Sequence, residues 1–389
     1  MARNRAINYR ELKRMYELDP HGAHNHLVEC LETKKLRPQD FSVRELAEAI
    51  VGREWVQAMN PAGGNDVALL EAAGAVSTNQ FSNIFGQIIY SRLLDGFEFE
   101  DFVFSKAVQT VPSRFPYGER IPKIGDIGNY SEPVGEGAEY PLVGVNEDWI
   151  DAPAGQKFGM IIPLTKEAVY FDNTNSVLEK AGRIGEWMGY RKELSVIDAI
   201  IDENVTRHQY KWRGTTYGNF QSASPWINVK GSNALLDWTN VEAAWKLLAA
   251  ILDPNTGTPV LVLPDTIIVS PRLLHTARRI VRATDVREHA GAYPDSGNVV
   301  ETVSPSPLDN YNILTSRILP TRQTLDTSWY LGNVRRAVWW LEQWPITVVQ
   351  APVNNTDEFH RDIVNQWKAS YRGVASVVEP RALCKNTAA

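Results

Sequence analysis

The sequence has almost no cysteine, since Cys30 and Cys384 are the two cysteines among its 389 residues. A disulfide scaffold and a cysteine-rich metal site are therefore excluded, and a reducing compartment is expected. No apolar run reaches the roughly 18 residues that a membrane-spanning helix needs. The N-terminus also lacks the apolar core of a signal peptide. We expect a soluble protein that is made and used without export.

The common sequence motifs of nucleotide-binding and hydrolytic enzymes are absent too. No GxxxxGK[ST], HExxH, GxSxG, CxxC or EF-hand loop occurs. The best glycine-rich candidate is GNYSEPVGEGAEYP (residues 128–141), which contains a GxG at Gly135 and Gly137. Tyr140 stands where a dinucleotide fingerprint has its third glycine, and Pro141 leads into extended residues instead of a helix N-terminus. The stretch is therefore predicted to be a turn-rich hairpin wall and not a phosphate site.

Histidines give the best metal candidate. His21, His24 and His26 fall within six residues in PHGAHNH, but no nearby cysteine or carboxylate completes a zinc site of typical spacing. A polar turn between two N-terminal helices is the favoured interpretation. His275 has no evident partner and is predicted to be a packing histidine.

Carboxylates crowd a predicted long helix over residues 175–203, at Glu186, Glu193, Asp198 and Asp202. On a helix, Glu186 and Asp198 would be about 18 Å apart along the axis, too far to act on one bond. Lysines and arginines alternate with them, which is typical of a solvated or subunit-facing charged stripe. No catalytic, cofactor-binding or metal-binding residue is predicted anywhere in the chain.

What is present is an ordinary charge balance and many tryptophans. A net charge of -6 and a pI near 5.7 predict no broad basic surface, although nucleic acid could still lie nearby. Twelve tryptophans fit either protein–protein contact surfaces or a tryptophan-rich core, and composition does not choose between them.

Local patterns divide the chain into parts. Residues 1–75 are polar and helical, with a capping box at Ser42 and Glu45. The segment from about residue 119 is rich in proline and glycine and has too little apolar bulk to form its own core. Its strands are therefore predicted to be edge or free-standing strands.

The helix over residues 175–203 carries two marked faces. Its apolar stripe comprises Ile184, Trp187, Leu194, Ile197 and Ile201. Glycines at positions 182, 185 and 189 cluster on one side, and each costs about 1 kcal/mol of helix propensity. Another backbone is therefore expected to approach the helix closely at the glycine side.

The middle of the chain alternates helices and strands. Asn240 is predicted to cap a helix, and Ser270 with Pro271 to start another. Strands are predicted over residues 266–270, 310–314, 328–332, 336–342 and 346–350. A single long strand is predicted over residues 362–378, with one apolar face and one polar face. A short tail follows it.

This order of parts resembles the major capsid protein of tailed bacteriophages, with the Hong Kong 97 type of fold. The stretches that carry the resemblance are GDIGNYSEPVGEGAEYP with its return MIIPLTKEAVYFDN, NSVLEKAGRIGEWMGYRKELSVIDAIID, DTIIVSPRLLHTARRI and EFHRDIVNQWKASYRGVASVVEPRAL. The resemblance implies an α+β fold with the following parts: an N-terminal helical segment (1–75), an N-terminal arm (76–118), an extended hairpin loop (119–172), a peripheral domain with a long spine helix (173–230 and 351–389) and an axial domain (231–350).

The resemblance also implies a function. It predicts a structural protein of the virion that self-assembles into hexamers and pentamers, encloses double-stranded DNA without reading its sequence, and meets portal and possibly scaffolding or decoration proteins. Assembly would take place in the host cytoplasm, with no membrane partner and no cofactor. An encapsulin-like compartment shell and a monomeric enzyme are the alternatives. The cleavage or retention of residues 1–75 and the reactivity of Lys123 or Lys157 stay open.

Overall fold

The computed structural model describes most of the chain. The described residues are 14–16, 18–33, 42–53, 75–115, 117–124, 134–136, 147–171, 174–202, 210–212, 215–223, 225–253, 257, 259–283, 285–290, 300–305, 311–351 and 363–388. Among the helices in these ranges, none has the length and apolarity needed to cross a membrane.

Helices and strands alternate along the chain, which confirms the predicted α+β class. The helices are α1 (Pro20–Glu32), α2 (Val43–Ile50), α3 (Ala75–Phe97), α4 (Phe104–Ala107), α5 (Lys166–Tyr170), α6 (Thr174–Ile201), α7 (Trp238–Ala249), α8 (Leu274–Val281), α9 (Leu319–Arg322) and α10 (Val334–Ala337). The strands are β1 (Gln109–Pro112), β2 (Arg120–Ile124), β3 (Glu147–Asp151), β4 (Gln156–Thr165), β5 (Tyr210–Trp212), β6 (Thr215–Tyr217), β7 (Val229–Lys230), β8 (Thr266–Val269), β9 (Asp285–Ala290), β10 (Val300–Pro305), β11 (Asn312–Leu314), β12 (Trp329–Gly332), β13 (Val338–Gln350), β14 (Ile363–Val377) and β15 (Leu383–Asn386).

The chain divides into two compact units, each built from three segments. The first unit comprises residues 1–100, 157–191 and 344–372, and the second comprises residues 101–156, 192–343 and 373–389. Four elements, α6, β13, β14 and, through Gln156, β4, contribute residues to both units. The predicted domain boundaries follow the order of parts along the chain and stay a prediction.

In the first unit, α3 and α6 cross at glycines. A Cβ added to Gly185 would lie 2.1 Å from the carbonyl oxygen of Leu93, and one added to Gly96 would lie 2.3 Å from that of Gly182. Real Cβ atoms do not approach a backbone oxygen this closely, so only glycine permits the observed crossing. The expected close backbone approach at the glycine side is confirmed for Gly182 and Gly185, and its partner is α3.

The N-terminal helices α1 and α2 contact α3 in the same unit. They bury Leu27, Leu46 and Ala47. Ser42 caps α2 by accepting a hydrogen bond from the backbone N–H of Glu45, which confirms that half of the predicted capping box. The Arg44 guanidinium also donates to the carbonyl oxygen of Tyr170, at 3.3 Å. These N-terminal helices are thus packed parts of the unit.

Strands β13, β14 and β4 are hydrogen-bonded in that order, with β4 at the edge. Large aromatic side chains of β14 face α3 and α6. Trp367 packs edge-on to Phe85, at 5.2 Å between ring centroids, and the Tyr371 hydroxyl donates to the carbonyl oxygen of Met188. The long C-terminal strand predicted over residues 362–378 is confirmed, since β14 runs over Ile363–Val377 and alternates largely as expected.

The second unit contains a five-stranded sheet in the order β11-β8-β12-β15-β7. Strands β11 and β8 are parallel, β12 is antiparallel to both β8 and β15, and β15 is parallel to β7. Helices α7 and α8 cover the same face of this sheet, because both join one buried core with Ile267, Trp329 and Leu331.

The caps of these helices differ in part from the prediction. Asp237, not Asn240, is the N-cap of α7, and Asn240 occupies the third helical position, where its side chain accepts from the Asp237 backbone in a capping box. An Asn side chain can form hydrogen bonds at the N-cap or at the third helical position, and here Asp237 occupies the N-cap. Ser270 and Pro271 open a 3₁₀ turn (Pro271–Leu273) before α8, and the Ser270 hydroxyl donates to the carbonyl oxygen of Asp326.

The last residues form a strand inside the sheet, which corrects the predicted tail. β15 lies between β12 and β7, and its Cys384 is fully buried in the core. Asn228 holds this segment by donating to the carbonyl oxygens of Pro380 and Leu383. A four-residue strand of mixed polarity carries too short a pattern to be recognised in a sequence.

Candidate assembly surfaces

The base of the predicted extended hairpin is an antiparallel pair in the second unit. β2 and β3 pair from Arg120 opposite Asp151 to Ile124 opposite Glu147. The Nε of Arg120 lies 3.3 Å from a carboxylate oxygen of Asp151, and the backbone N–H of Ala152 donates to the carbonyl oxygen of Glu119. Pro122 lies in this two-stranded pair and Pro163 in the edge strand β4, which confirms the predicted edge or free-standing strands for these two prolines.

This hairpin base is anchored by apolar side chains. Ile121 and Ala152 form a small buried cluster with Leu341, and Ile150 belongs to the main core of the unit. Of GNYSEPVGEGAEYP, only residues 134–136 are described, and an added Cβ at Gly135 would meet no atom within 4 Å. The rest of that stretch, and with it the choice between a turn and a phosphate site, lies outside the described residues.

The edge strand β4 exposes apolar side chains in the first unit. Met160 and Ile161 are 45% and 57% exposed, while Ile162 and Leu164 further along are buried. Gly159 lets β4 lie against β14, because an added Cβ would come within 2.7 Å of the carbonyl oxygen of Ala369. An exposed edge strand with apolar side chains is a surface on which another chain can pair.

Trp187 on α6 is 63% exposed, so its predicted place in the buried stripe is wrong. Helical geometry gives the reason: Trp187 is about 200° around the helix from Gly185, and the glycine side is the buried side because α3 packs there. Trp187 stacks edge-on with Tyr190, at 5.6 Å between ring centroids. An exposed tryptophan of this kind fits a contact surface between proteins.

A cleft of about 520 Å³ opens in the first unit between α3 and β13. Its lining includes Gly86, Gln87 and Tyr90 from α3, residues 346–350 from β13, and Trp367. The indole N–H of Trp367 is buried and has no hydrogen-bond acceptor among the described residues. The Trp367 indole N–H is thus free to donate to a carbonyl oxygen of a segment that enters the cleft. The described walls of the cleft carry no acid, base or nucleophile suited to catalysis.

Glu193 does not belong to a solvated stripe, because its side chain is fully buried. Its two carboxylate oxygens accept the backbone N–H groups of Phe104 and Ser105, at 2.8 and 2.6 Å, at the start of the short helix α4. Burial raises the pKa of the Glu193 carboxyl, and the two amide donors oppose that rise only in part. The Glu193 side chain thus links α6 to α4 through two hydrogen bonds.

The other carboxylates of α6 have separate roles. Asp198 forms a bidentate ion pair with the Arg322 guanidinium, whose Nε lies 2.6 Å from one oxygen. Asp202 accepts the backbone N–H of Asn219, and Glu186 is exposed. The interpretation of one charged stripe is therefore correct for Glu186 and wrong for Glu193.

The predicted absence of a metal site at the three N-terminal histidines stays a prediction, because the side chains of His21 and His24 lie outside the description. His21, His24 and His26 lie within α1 and not in the predicted turn, since the sequence from Pro20 to Glu32 is helical. Within the described residues, no three His, Cys, Asp or Glu side chains come together in a way that could hold a metal ion. His275 is exposed on α8, so its predicted packing role is wrong.

Lys157 is the loop lysine whose side chain is described. Its Nζ lies 5.8 Å from the centre of the Trp344 ring in the first unit, a cation–π distance. The side chain of Lys123 lies outside the description. Neither observation marks a reactive lysine.

A family model for "Phage capsid protein" matches residues 153–386. The match covers more than half of the chain and includes β4, all of α6, the five-stranded sheet and β14. The chain belongs to the phage capsid protein family. The predicted phage capsid protein is thereby confirmed, and the family places this structural protein in the capsid. No curated protein matches the sequence.

Several solved structures are similar to this phage capsid protein at low identity. One from Gordonia phage Cozz has 13% identity and a TM-score of 0.43, over 73% of this chain and 85% of that one. The capsid structure of the cyanophage P-SCSP1u has 15% identity and a TM-score of 0.41, over 73% and 86%. The holo-SrpI encapsulin complex from Synechococcus elongatus has 12% identity and a TM-score of 0.41, over 74% and 87%.

Proposed function

We propose that this chain is the major capsid protein of a tailed bacteriophage, with a Hong Kong 97-type fold, and that it self-assembles through hexamers and pentamers into an icosahedral shell around double-stranded DNA. The family match over residues 153–386 carries the proposal. The encapsulin alternative has no support from the family, and a structural role needs no catalytic residue.

The hairpin supports this role physically. Its base is fixed in the second unit by Ile121, Ile150 and Ala152, while residues 125–146 contain few large apolar side chains with which to form a core of their own. A segment of this kind gains stability by burying its surface against another subunit. Further partners are the portal and any scaffolding or decoration proteins, and assembly takes place in the host cytoplasm.

Exposed apolar side chains on other elements of the first unit support the same role. Met160 and Ile161 on β4 and Trp187 on α6 leave large apolar areas in solvent. Aromatic and methionine side chains are enriched where protein meets protein. We assign these side chains to contacts between neighbouring copies of the chain.

Expression of the full chain followed by nuclease digestion and electron microscopy tests the proposal. Closed particles that protect double-stranded DNA are expected from phage-infected or packaging-competent cells. Particles that carry a co-purifying enzyme instead of DNA would assign the chain to an encapsulin-like compartment. A chain that stays monomeric at high concentration would contradict both shell functions.

A further inference from the structure

Helix α8 is sharply amphipathic. Ala277, Ile280 and Val281 are buried in the core of the second unit, where the helix packs against the five-stranded sheet. Its outward face carries cationic and titratable side chains, all exposed, namely Arg272 in the 3₁₀ turn and His275, Arg278, Arg279 and Arg282 beyond it. At about 100° per residue these positions fall within one third of the helix circumference.

The four arginines of this face have no ion-pair or hydrogen-bond partner in the part of the chain that the structure describes. From Arg272 to Arg282 the stripe extends about 15 Å along the helix. Residues 266–284 contain no Asp or Glu, although the chain has 46 acidic residues and a net charge of -6. The outward face of α8 is therefore a local cationic surface on an acidic protein.

The neighbouring helix α7 shows what an ordinary outward face looks like on the same side of this sheet. Its Lys246 is neutralised by Glu242 one turn earlier, with 2.8 Å between Nζ and the carboxylate. Trp245 beside them is 42% exposed and apolar. Two helices in one layer thus present different chemistry: within the described residues, the lysine of α7 has a carboxylate partner and the arginines of α8 have none.

We infer that the outward face of α8 contacts the phosphates of the enclosed double-stranded DNA. The guanidinium group presents donors in a planar fork that matches phosphate oxygens, and unpaired arginines need no intramolecular bond to be broken first. Duplex DNA offers about one charge per 1.7 Å of helix axis, so a 15 Å stripe meets several phosphates. This inference rests on the proposed function, which puts DNA inside the shell.

An acidic surface on a second copy of the chain fits this face less well. Interfaces between proteins usually have an apolar or aromatic centre, and the α8 stripe has none. Interfaces with DNA are polar and strongly cationic, as this stripe is. The contact is small, so each subunit would hold DNA weakly and without reading its sequence.

Salt-dependent binding of the full-length chain to a duplex of random sequence tests the inference. The R278Q/R279Q variant removes two charges from the stripe. The R114Q/R335Q variant removes two charges from exposed, unpaired arginines elsewhere in the same unit. The binding constant K falls with salt, and each neutralised phosphate contributes about 0.9 to the magnitude of the slope of log K against log salt. We expect this magnitude to be smaller by about 1.8 in the first variant and unchanged in the second.

Several results would overturn the inference. The inference is wrong if the wild-type chain binds no duplex at low salt. It is also wrong if the two double variants lose the same amount of duplex affinity. Loss of assembly in R278Q/R279Q with unchanged duplex binding would assign the face to another copy of the chain. Failure of the wild type to form particles would contradict the proposed function instead, because the duplex-binding measurement does not require a shell.

Discussion

At the scale of single residues, glycines set how closely α3 and α6 approach each other. The Gly185→Ala substitution would gain about 1 kcal/mol of helix propensity. However, the new methyl would lie 2.1 Å from the carbonyl oxygen of Leu93, and backbone cannot rotate away as a flexible side chain can. Because the clash is with backbone, we expect it to cost about 3 kcal/mol, the upper end of the usual range for overpacking. After the gain in propensity, the expected net loss in the free energy of unfolding is about 2 kcal/mol.

Chemical denaturation of the two variants Gly185→Ala and Gly231→Ala measures this effect against a matched control. An added Cβ at Gly231 would meet no atom within 4 Å. The control is expected to change the free energy of unfolding by no more than about 0.5 kcal/mol. Equal stabilities of the two variants would show that the helices can move apart without cost.

The buried Glu193 gives a prediction about pH. Its folded-state pKa is raised, so the folded protein holds this proton at pH values where the unfolded chain has released it. The contribution of this group to stability is therefore complete below the ordinary carboxyl pKa and is lost as the pH rises through the raised value. The Glu193→Gln variant has no such titration.

Unfolding free energies of the wild type and of Glu193→Gln, measured across the acidic range, test this difference. The wild type is expected to lose stability relative to the variant as the pH rises above the ordinary carboxyl pKa. The difference in unfolding free energy between the two proteins at neutral pH also includes the effect of the two amide hydrogen bonds. The readout is therefore the slope of that difference against pH. Parallel curves would mean that burial does not control the protonation of this carboxyl.

Residue positions were less predictable from the sequence than elements were. Trp187, Glu193 and His275 each ended in the opposite environment to the one their residue type indicates. In each case the cause is tertiary: α3 occupies the glycine side of α6, α4 provides two amide donors for Glu193, and the core takes the other face of α8. The local sequence pattern does not indicate which element packs against a given side chain.

At the scale of elements, long periodic segments were predictable. The long helix, the strand over residues 328–332 and the final long strand all lie where their spacing indicates. The two strands predicted over residues 336–342 and 346–350 are one, because β13 continues through Pro345. Pairing with β1 ends at Glu342, and in the described part no strand lies beyond it on that side, so a proline is tolerated there.

The C-terminal strand β15 carries a prediction at this scale. Removal of residues 383–389 takes the strand between β12 and β7 out of the sheet and removes buried Leu383, Cys384 and Asn386. We expect the second unit to lose cooperative thermal unfolding. Removal of residues 388–389 alone leaves β15 in place and should unfold as the wild type does. Cooperative unfolding of the longer truncation would contradict the packing role of β15.

At the scale of the whole molecule, the proposed assembly depends on the predicted hairpin. A deletion of residues 126–154 would remove Ile150 and Ala152, which are buried. Deletion of residues 128–143, with a short glycine-serine connection, keeps both paired strands of the base. We expect this variant to have the circular dichroism and melting temperature of the wild-type subunit but to form no particles. Assembly of the variant would show that the hairpin is not the main contact between subunits.

Negative-stain electron microscopy of the purified 389-residue protein tests most directly whether this chain closes into a shell. We expect closed particles of uniform diameter for the wild type and dispersed subunits or capsomers for the 128–143 deletion. A wild-type chain that remains a 43.7 kDa monomer at high concentration, with neither particles nor capsomers, would contradict this expectation.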